Sequence, residues 1–278
     1  MAAFFARVAY SVLRLAGWKR KTVLANAKHV AMPVDYNVLL KNLTRHASEL
    51  LFRFGTFKKL PHDFTAYPCC VDGWDFALDE AAIPVLEKMR SGGIFLTAHY
   101  GNYEAMGPWL CRLGIPLVAS YIPVKPKWLN NILERKIRSV DGRSYSVDAR
   151  TPRDFIRILN DGNLFCLLSD QDSRISSALP ETFLGRPANV NPLPDFLLKH
   201  RPQTPVFICW IEERGASPKC ASSKKVRVLH AIEVGGAQSK VVEKFNKWLE
   251  ERIRENPNLW YSFTHRRFYS QSPEIYGE

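Results

Sequence analysis

The sequence predicts a single α/β domain with a largely parallel, mixed central sheet flanked by helices. Short apolar runs of the buried-strand type lie at residues 93–98, 115–122 and 163–169, and segments of helical periodicity separate them. Glycines end the intervening helices, as at Gly92 and Gly162. Strands that alternate with helices favour a parallel sheet covered on both faces.

The remaining elements follow from the same periodicities. We expect further helices at 36–54, 79–90, 102–113, 127–139, 193–200 and 238–255. We expect further strands at 204–212 and 225–234. A helix also begins at Thr151, where Thr-Pro-Arg-Asp combines a capping residue, a first-turn proline and an acidic residue that reaches back. The 278 residues, 46% of them apolar, suffice for one well-filled core.

The chain is strongly basic, with a formal net charge of +12. Such a surface favours anionic partners, whether lipid headgroups, nucleic acid or an acidic protein. The six cysteines include no CxxC pair, and Cys111, Cys166 and Cys209 lie inside apolar runs. They are typical of small core residues in a reducing, cytosolic environment.

Residues 1–21 are predicted to form an amphipathic helix that lies in the membrane interface. Phe5, Val8, Val12 and Leu15 share one face of a helical wheel, and basic residues follow at 19–21. The apolar run is too short to span a bilayer and lacks a signal-peptide cleavage site. A helix packed on the protein's own core is the alternative.

The strongest local motif is His-Tyr-Gly-Asn-Tyr-Glu at 99–104. His99 leaves a buried strand, and Asn102 is suited to cap the next helix, which places Glu104 in its first turn. Glu104 could then accept from one ring nitrogen of His99 and leave the other to remove a proton from a hydroxyl. Gly101 would let a substrate approach the backbone. A structural histidine at a strand end is the alternative.

Asp170 follows the strand predicted at 163–169 in the same way that His99 follows the strand at 93–98. Ligands of open α/β sheets bind beyond the carboxyl ends of the strands. We therefore expect His99 and Asp170 at one edge of the sheet. No nucleophile elbow, phosphate-binding loop, dinucleotide fingerprint or zinc-protease motif occurs in the sequence.

The segment GIFLTAHYGNYEAMG resembles the H-x4-D/E block of the glycerolipid acyltransferase superfamily and, more narrowly, that of the bacterial lipid A late acyltransferases. Three further blocks resemble that family in order: KRKTVLANAKHVAMP, LLSDQDSRISSALPETFLGRPANVNPLP and NKWLEERIRENPNLWYSFTHRRF. Together they cover most of residues 19–268. Four ordered blocks form a specific signal, whereas a lone H-x4-E is weak.

The resemblance implies roles for particular residues. His99 would be the general base and Glu104 its partner. The family's functional arginine matches Arg138, with Arg135 one turn earlier as the alternative, and its functional aspartate matches Asp170. Without the resemblance, a solvated helix charge and a turn-forming aspartate are the ordinary interpretations. Substrate contacts are expected from Gly101, Asn102, Arg135, Gln171, Asp172, Arg266 and Arg267, the last two as ligands of acceptor phosphates or lipid headgroups.

The expected function is transfer of a fatty acyl group from acyl carrier protein to a hydroxyl of a lipid A precursor. It would occur at the cytoplasmic face of the bacterial inner membrane, without a cofactor or metal. Residues 1–21 would associate with the membrane, and 22–278 would form the acyltransferase domain. Another glycolipid or an aminolipid as acceptor stays open, and so does a non-catalytic protein that binds lipid or nucleic acid.

Overall fold

The computed structural model describes residues 1–120, 125–149, 151–215, 225–235 and 240–277. The α-helices in these ranges are α1 (Ala2–Leu15), α2 (Arg20–His29), α3 (Tyr36–Lys58), α4 (Ile83–Met89), α5 (Met106–Arg112), α6 (Lys127–Lys136), α7 (Pro152–Asn160), α8 (Leu193–His200) and α9 (Val241–Glu255). The strands are β1 (Cys69–Val71), β2 (Trp74–Leu78), β3 (Gly93–Thr97), β4 (Leu117–Ser120), β5 (Ser139–Val140), β6 (Arg143–Ser144), β7 (Ser146–Val147), β8 (Leu164–Leu168), β9 (Leu179–Phe183), β10 (Arg186–Val190), β11 (Val206–Arg214) and β12 (Val226–Gly235).

Eight strands form the main sheet, in the order β1-β2-β12-β11-β3-β8-β4-β7. The strands from β11 to β7 are all parallel to one another. β12 is antiparallel to β11, and β2 continues parallel to β12. The predicted α/β domain with a largely parallel, mixed central sheet is therefore confirmed.

The central strands are buried on both faces because alternate side chains enter two separate cores. Ile94 and Leu96 of β3 pack with α7, α8 and α9 on one face, whereas Phe95 packs with α4 and α5 on the other. All five residues of β3 are buried. This explains why β3 is a continuous apolar run in the sequence and not an alternating one.

Most predicted elements are present with altered ends. The strand expected at 115–122 is described as Leu117–Ser120, since residues 121 and 122 lie outside the described residues. The helix expected at 102–113 begins as a single 3-10 turn, Tyr103–Ala105, before α5. The capping box at Thr151 is confirmed.

The hairpin of β1 and β2 lies between the helices predicted at 36–54 and 79–90, where the sequence patterns predict no element. Its turn is Asp72-Gly73, with φ of 49° and 79°. An Asp-Gly pair with positive φ at both positions is the usual two-residue hairpin turn. The short strands on either side give too little alternation to be recognised from sequence.

The predicted N-terminal helix is present over Ala2–Leu15. It packs along α3, where the rings of Phe5 and Phe52 stack at 4.3 Å between centroids. Val12 and Leu15 remain 59% and 88% exposed. No helix in the described part of the chain is both long and apolar enough to cross a bilayer. Membrane association of α1 therefore stays a prediction.

Candidate active site

The sheet brings His99 and Asp170 together as predicted. β3 and β8 are parallel neighbours, with Thr97 in register with Leu168. His99 and Asp170 each lie two residues beyond these paired positions, so they leave the sheet side by side. A backbone hydrogen bond from Ser169 N to Thr97 O, 3.1 Å long, continues the ladder beyond the strands. The sequence expectation that His99 and Asp170 share one sheet edge is confirmed.

The carboxylate of Asp170 is the hydrogen-bonded partner of the His99 ring. His99 Nδ1 lies 2.8 Å from Asp170 Oδ1, and the backbone N–H of His99 donates to Oδ2 at 3.0 Å. Trp260 Nε1 and Ser262 Oγ also donate to Oδ2, at 2.9 and 2.7 Å. Asp170 is only 1% exposed, so these donors replace the water that its charge would otherwise require.

Each member of the pair stabilises the charged form of the other. Burial alone would raise the pKa of Asp170, but the charge of His99 and the donors His99, Ser262 and Trp260 hold it well below its usual range. Burial alone would lower the pKa of His99, but Asp170, and to a lesser extent Glu104, raise it above the ordinary 6.5. An ionised Asp170 requires a proton on Nδ1 of the ring, which leaves Nε2 as an acceptor.

Nε2 is the nitrogen of the His99 ring that Asp170 does not bind. Its nearest polar neighbour is the amide of Gln171, at 3.5 Å, which is the outer limit of a hydrogen bond. The ring of Tyr103 packs edge-on at 4.9 Å, and that of His265 lies 6.0 Å away between centroids. The His99 side chain keeps 18% of its surface exposed. An incoming hydroxyl can therefore displace Gln171 and reach a free imidazole nitrogen.

Glu104 lies near His99 without orienting it. Its charge raises the pKa of His99, but among the residues that the structure describes it makes no hydrogen bond to the ring. The prediction that Glu104 accepts from a ring nitrogen is therefore wrong. Asp170 occupies that position because the parallel strands place it directly beside Nδ1, whereas the 3-10 turn carries Glu104 away.

Glu104 instead lines a cavity of about 100 Å³ together with Arg138. Burial raises the pKa of Glu104, and the charges of Arg138 and His99 offset part of the effect. The rest of the lining is largely apolar and comes from β3, β4, β8 and α5, including Phe95, Met106, Leu117, Ala119, Cys166 and Leu168. The site therefore consists of the His99–Asp170 pair next to a largely apolar cavity, whose wall includes one carboxylate, that of Glu104, and one guanidinium, that of Arg138.

Residues 79–270 match the family model described as bacterial lipid A biosynthesis acyltransferase. The chain belongs to this acyltransferase family. The match spans His99, Glu104, Arg138 and Asp170, and the resemblance proposed from the sequence blocks is confirmed. A comparison with curated proteins found no match.

The loop after His99 in this acyltransferase uses its polar groups internally. Gly101 has φ of +59°, which favours glycine, and its N–H donates to Leu259 O at 2.9 Å. Asn102 occupies the capping position of the 3-10 turn, but its side chain makes no capping hydrogen bond. Its amide donates instead to Glu49 Oε2 at 3.3 Å. The substrate contacts predicted for Gly101 and Asn102 thus have no support from the geometry.

The predicted arginines fall into two groups. Arg138 lines the cavity, while Arg135 is exposed on α6 and is not part of the cavity wall. Arg266 is exposed, with its guanidinium 5.4 Å from the ring centroid of Tyr269. Arg267 is fully buried and donates to Asn189 O at 2.8 Å. The predicted substrate contact of Arg267 is therefore wrong, because Arg267 is a core cation stacked 4.9 Å from Phe183.

The Asp-Gln-Asp segment is similarly divided. Gln171 is beside Nε2 of His99, where a substrate contact is possible. Asp172 accepts from the N–H and the hydroxyl of Ser270, at 3.2 and 2.8 Å, and thereby ties the loop to the C-terminal segment. Its carboxylate thus supports the site from within, and its substrate contact stays a prediction.

Sequence reasoning did not identify the two side-chain donors that complete the Asp170 site. Trp260 and Ser262 lie 90 and 92 residues further along the chain, and both are fully buried. The sequence feature that could have indicated them is the presence of polar donors, the Trp260 indole and the Ser262 hydroxyl, in the largely aromatic segment WYSF. Buried donors of this kind need acceptors, and a strand-end carboxylate is a fitting one.

Proposed function

We propose that this acyltransferase moves a fatty acyl group from an acyl carrier protein thioester to a hydroxyl of a lipid A precursor, with His99 as general base. One observation carries the proposal: the hydrogen bond of 2.8 Å between His99 Nδ1 and the buried carboxylate of Asp170. It fixes the tautomer of the ring and leaves Nε2 unprotonated, as a base for the acceptor hydroxyl.

The reaction proceeds by direct attack of the acceptor alcohol. As the hydroxyl oxygen bonds to the thioester carbonyl carbon, its proton passes to Nε2 of His99, and the carbonyl electrons move to oxygen. The tetrahedral intermediate then collapses, the C–S bond breaks, and the thiolate of the carrier takes the proton from the His99 imidazolium. The products are an ester and a free thiol. Side chains and the two substrates suffice for every step.

The cavity wall contributes the remaining chemistry in the proposal. The apolar lining, with Phe95, Leu117 and Leu168, suits the hydrocarbon chain next to the thioester. Arg138 is our candidate for stabilising the oxyanion, since a cation in a partly dry site acts strongly on developing negative charge. The negative charge of Glu104 interacts with the positive charges of both Arg138 and His99 and offsets part of each.

The location is part of the proposal. The acidic carrier would dock on a protein of net charge +12, which accelerates encounter. The acceptor would be presented by the cytoplasmic leaflet of the inner membrane, where α1 inserts its exposed side chains Phe4, Val12 and Leu15. Basic residues at 19–21 follow this helix and suit anionic headgroups.

The test of the enzyme reaction uses purified protein, acyl carrier protein charged with a labelled lauroyl or myristoyl chain, and a lipid A precursor. We expect wild type to form the labelled ester and His99→Ala to lose about 10³- to 10⁴-fold in rate. A folded His99→Ala protein with the wild-type rate would overturn the mechanism. Transfer only to another glycolipid or an aminolipid would overturn the acceptor and keep the chemistry.

Membrane docking is tested separately by co-sedimentation with vesicles of anionic phospholipid. Val12→Glu places a charge on the exposed apolar face of α1 and is expected to reduce bound protein severalfold, because a buried carboxylate opposes insertion. Ala3→Glu is the matched control: it adds the same charge to α1 at an exposed position on the face opposite Val12. Equal losses for both variants would show electrostatic attraction alone.

A further inference from the structure

A buried network of charged side chains lies behind the loop that carries His99, on the side of α3. Its members come from α3 (Arg45, His46, Glu49), from β11 (Glu213) and from β12 (Arg227). Glu49, His46 and Arg227 are 8%, 6% and 5% exposed. Burying several charges is costly unless they are paired, so such a network needs a physical reason.

The network is not arranged as a metal site. His46, Glu49 and Glu213 offer ligand atoms within 4.8 Å of one another. However, Arg45 donates to both carboxylates of the group, at 3.2 Å to Glu49 and at 2.7 Å to Glu213. Arg45 Nη2 also lies 2.7 Å from His46 Nε2, and a guanidinium can only donate. The nitrogen and oxygen atoms that could coordinate a metal ion thus already contact the guanidinium cation of Arg45.

Two points of the network reach the loop that follows β3. Glu49 Oε2 accepts from Asn102 Nδ2 at 3.3 Å, three residues after His99 and two before Glu104. His46 Nδ1 lies 2.6 Å from the hydroxyl of Tyr261, whose backbone N–H donates to His99 O at 2.8 Å. The loop with the imidazole and the cavity carboxylate is therefore attached at both ends to the same buried cluster.

Glu49 is well placed to hold Asn102 because it is itself held from two sides. Arg45, one turn earlier on α3, contacts Oε1, and Arg227 of β12 donates to Oε2 at 3.3 Å. Asn102 is 3% exposed, and its amide caps no helix. Without the Glu49 carboxylate, the buried Asn102 amide would lose its acceptor, and Arg227 would keep only its ion pair of 3.7 Å with Glu213. The loop would then relax to recover a hydrogen bond for the amide.

We infer that Glu49 is a positioning residue, which acts through Asn102 to fix the distance between His99 and the Glu104–Arg138 cavity wall. This inference rests on the proposed function. Reaction geometry has to be held to within a fraction of an ångström, so a small shift of the loop lowers the rate of the chemical step more than it lowers substrate binding.

The experiment is a double-mutant cycle on kcat with Glu49→Ala and Asn102→Ala, in the assay with charged acyl carrier protein and a lipid A precursor. Each single variant is expected to lose about tenfold in kcat with KM changed less than about twofold. The double variant is expected to lose about tenfold as well, and not about a hundredfold, because both substitutions remove the same contact.

Glu213→Ala is the matched control. Glu213 shares Arg45 and Arg227 with Glu49, but in the described part of the chain its side chain makes no hydrogen bond or ion pair with residues 99 to 104. It removes the same charge from the same network, so its loss of thermal stability should be similar while kcat stays within about twofold of wild type. All rates are measured well below the lowest unfolding temperature of the set.

Three results would overturn the inference. Glu49→Ala could retain the wild-type kcat, Glu213→Ala could lose as much as Glu49→Ala, or the losses of Glu49→Ala and Asn102→Ala could multiply. His99→Ala in the same assay separates this from the proposed function. If His99 is essential and Glu49 is not, only the positioning role fails; if His99 is dispensable, the mechanism itself fails.

Discussion

The two sides of the His99 ring differ in almost every physical respect. On the Nδ1 side, Asp170 is buried and receives donors from His99, Trp260 and Ser262. On the Nε2 side, the amide of Gln171 lies 3.5 Å away. Glu104, which among the described residues makes no hydrogen bond to the ring, lines a separate cavity of about 100 Å³ near the pair. The Nδ1 side holds the imidazole, and the Nε2 side is the one that receives the hydroxyl in the proposed reaction. The two nearby acids therefore have separate roles.

Asp170→Asn is expected to have the largest effect on this comparison. The amide cannot offset an imidazolium and can present its NH₂ group to Nδ1, which would favour the wrong tautomer. We expect a loss of about 10³-fold in kcat/KM, at the middle of the range for a general base and its partner. The measurement is transfer from labelled acyl carrier protein. A loss of less than tenfold in a folded variant would contradict the account.

Glu104→Gln removes the charge of the cavity carboxylate while keeping its shape. We expect a smaller loss, of about 10²-fold in kcat. Arg138 loses the negative charge that balances it, which alters the electrostatic field in the cavity where the oxyanion would form. Steady-state kinetics of the two variants side by side provide the measurement. If Glu104→Gln lost more activity than Asp170→Asn, Glu104 and not Asp170 would be the carboxylate that supports the His99 base.

Ser262→Ala removes one donor from Asp170 and leaves the pair itself intact. A hydrogen bond to a buried charge is worth about 2 kcal/mol, so the free energy of unfolding should fall by about that amount. The rate should fall about tenfold or less, since Trp260 and the His99 backbone still hold the carboxylate. Chemical denaturation and kinetics check both values. Thr264→Ala, which loses only a local backbone contact at Tyr261 O, is the control.

The pH dependence of kcat/KM should show the smallest but most specific effect. The base must be neutral, and Asp170 raises the pKa of His99 above 6.5. Activity of wild type is therefore expected to rise with pH, with its inflection above 6.5. In Asp170→Asn the raising charge is gone, so the inflection should move to lower pH although the plateau is reduced. An unchanged inflection would show that another group titrates.

The sequence predicted the parts of the fold and site that depend on local pattern. β3 and β8 are continuous apolar runs, so both could be recognised, and parallel strands imply that His99 and Asp170 share an edge. The hairpin of β1 and β2 was missed because short edge strands carry little periodicity. Strand order, such as β11 between β12 and β3, depends on long-range pairing that no local pattern encodes.

The misassignment of Glu104 has the same origin. A spacing of five residues from His99 made it the nearest acid in sequence, and a helical first turn would have brought it back to the ring. The 3-10 turn and the tertiary contact of Asn102 with Glu49 direct it elsewhere. Asp170, 71 residues away, is the nearer acid in space. Trp260, Ser262 and Glu49 are likewise far from their partners in sequence, so no local pattern indicates their contacts.

The most direct test of the central claim is a pH titration of the His99 ring by ¹⁵N NMR in wild type, Asp170→Asn and Glu104→Gln. With His99→Gln as the reference for assigning the signal, wild type is expected to show a neutral ring protonated at Nδ1 and a pKa above 6.5. Asp170→Asn should lower that pKa more than Glu104→Gln does, because Asp170 has the larger influence. A larger fall in Glu104→Gln, or a neutral ring protonated at Nε2, would contradict the claim that Asp170 orients the base.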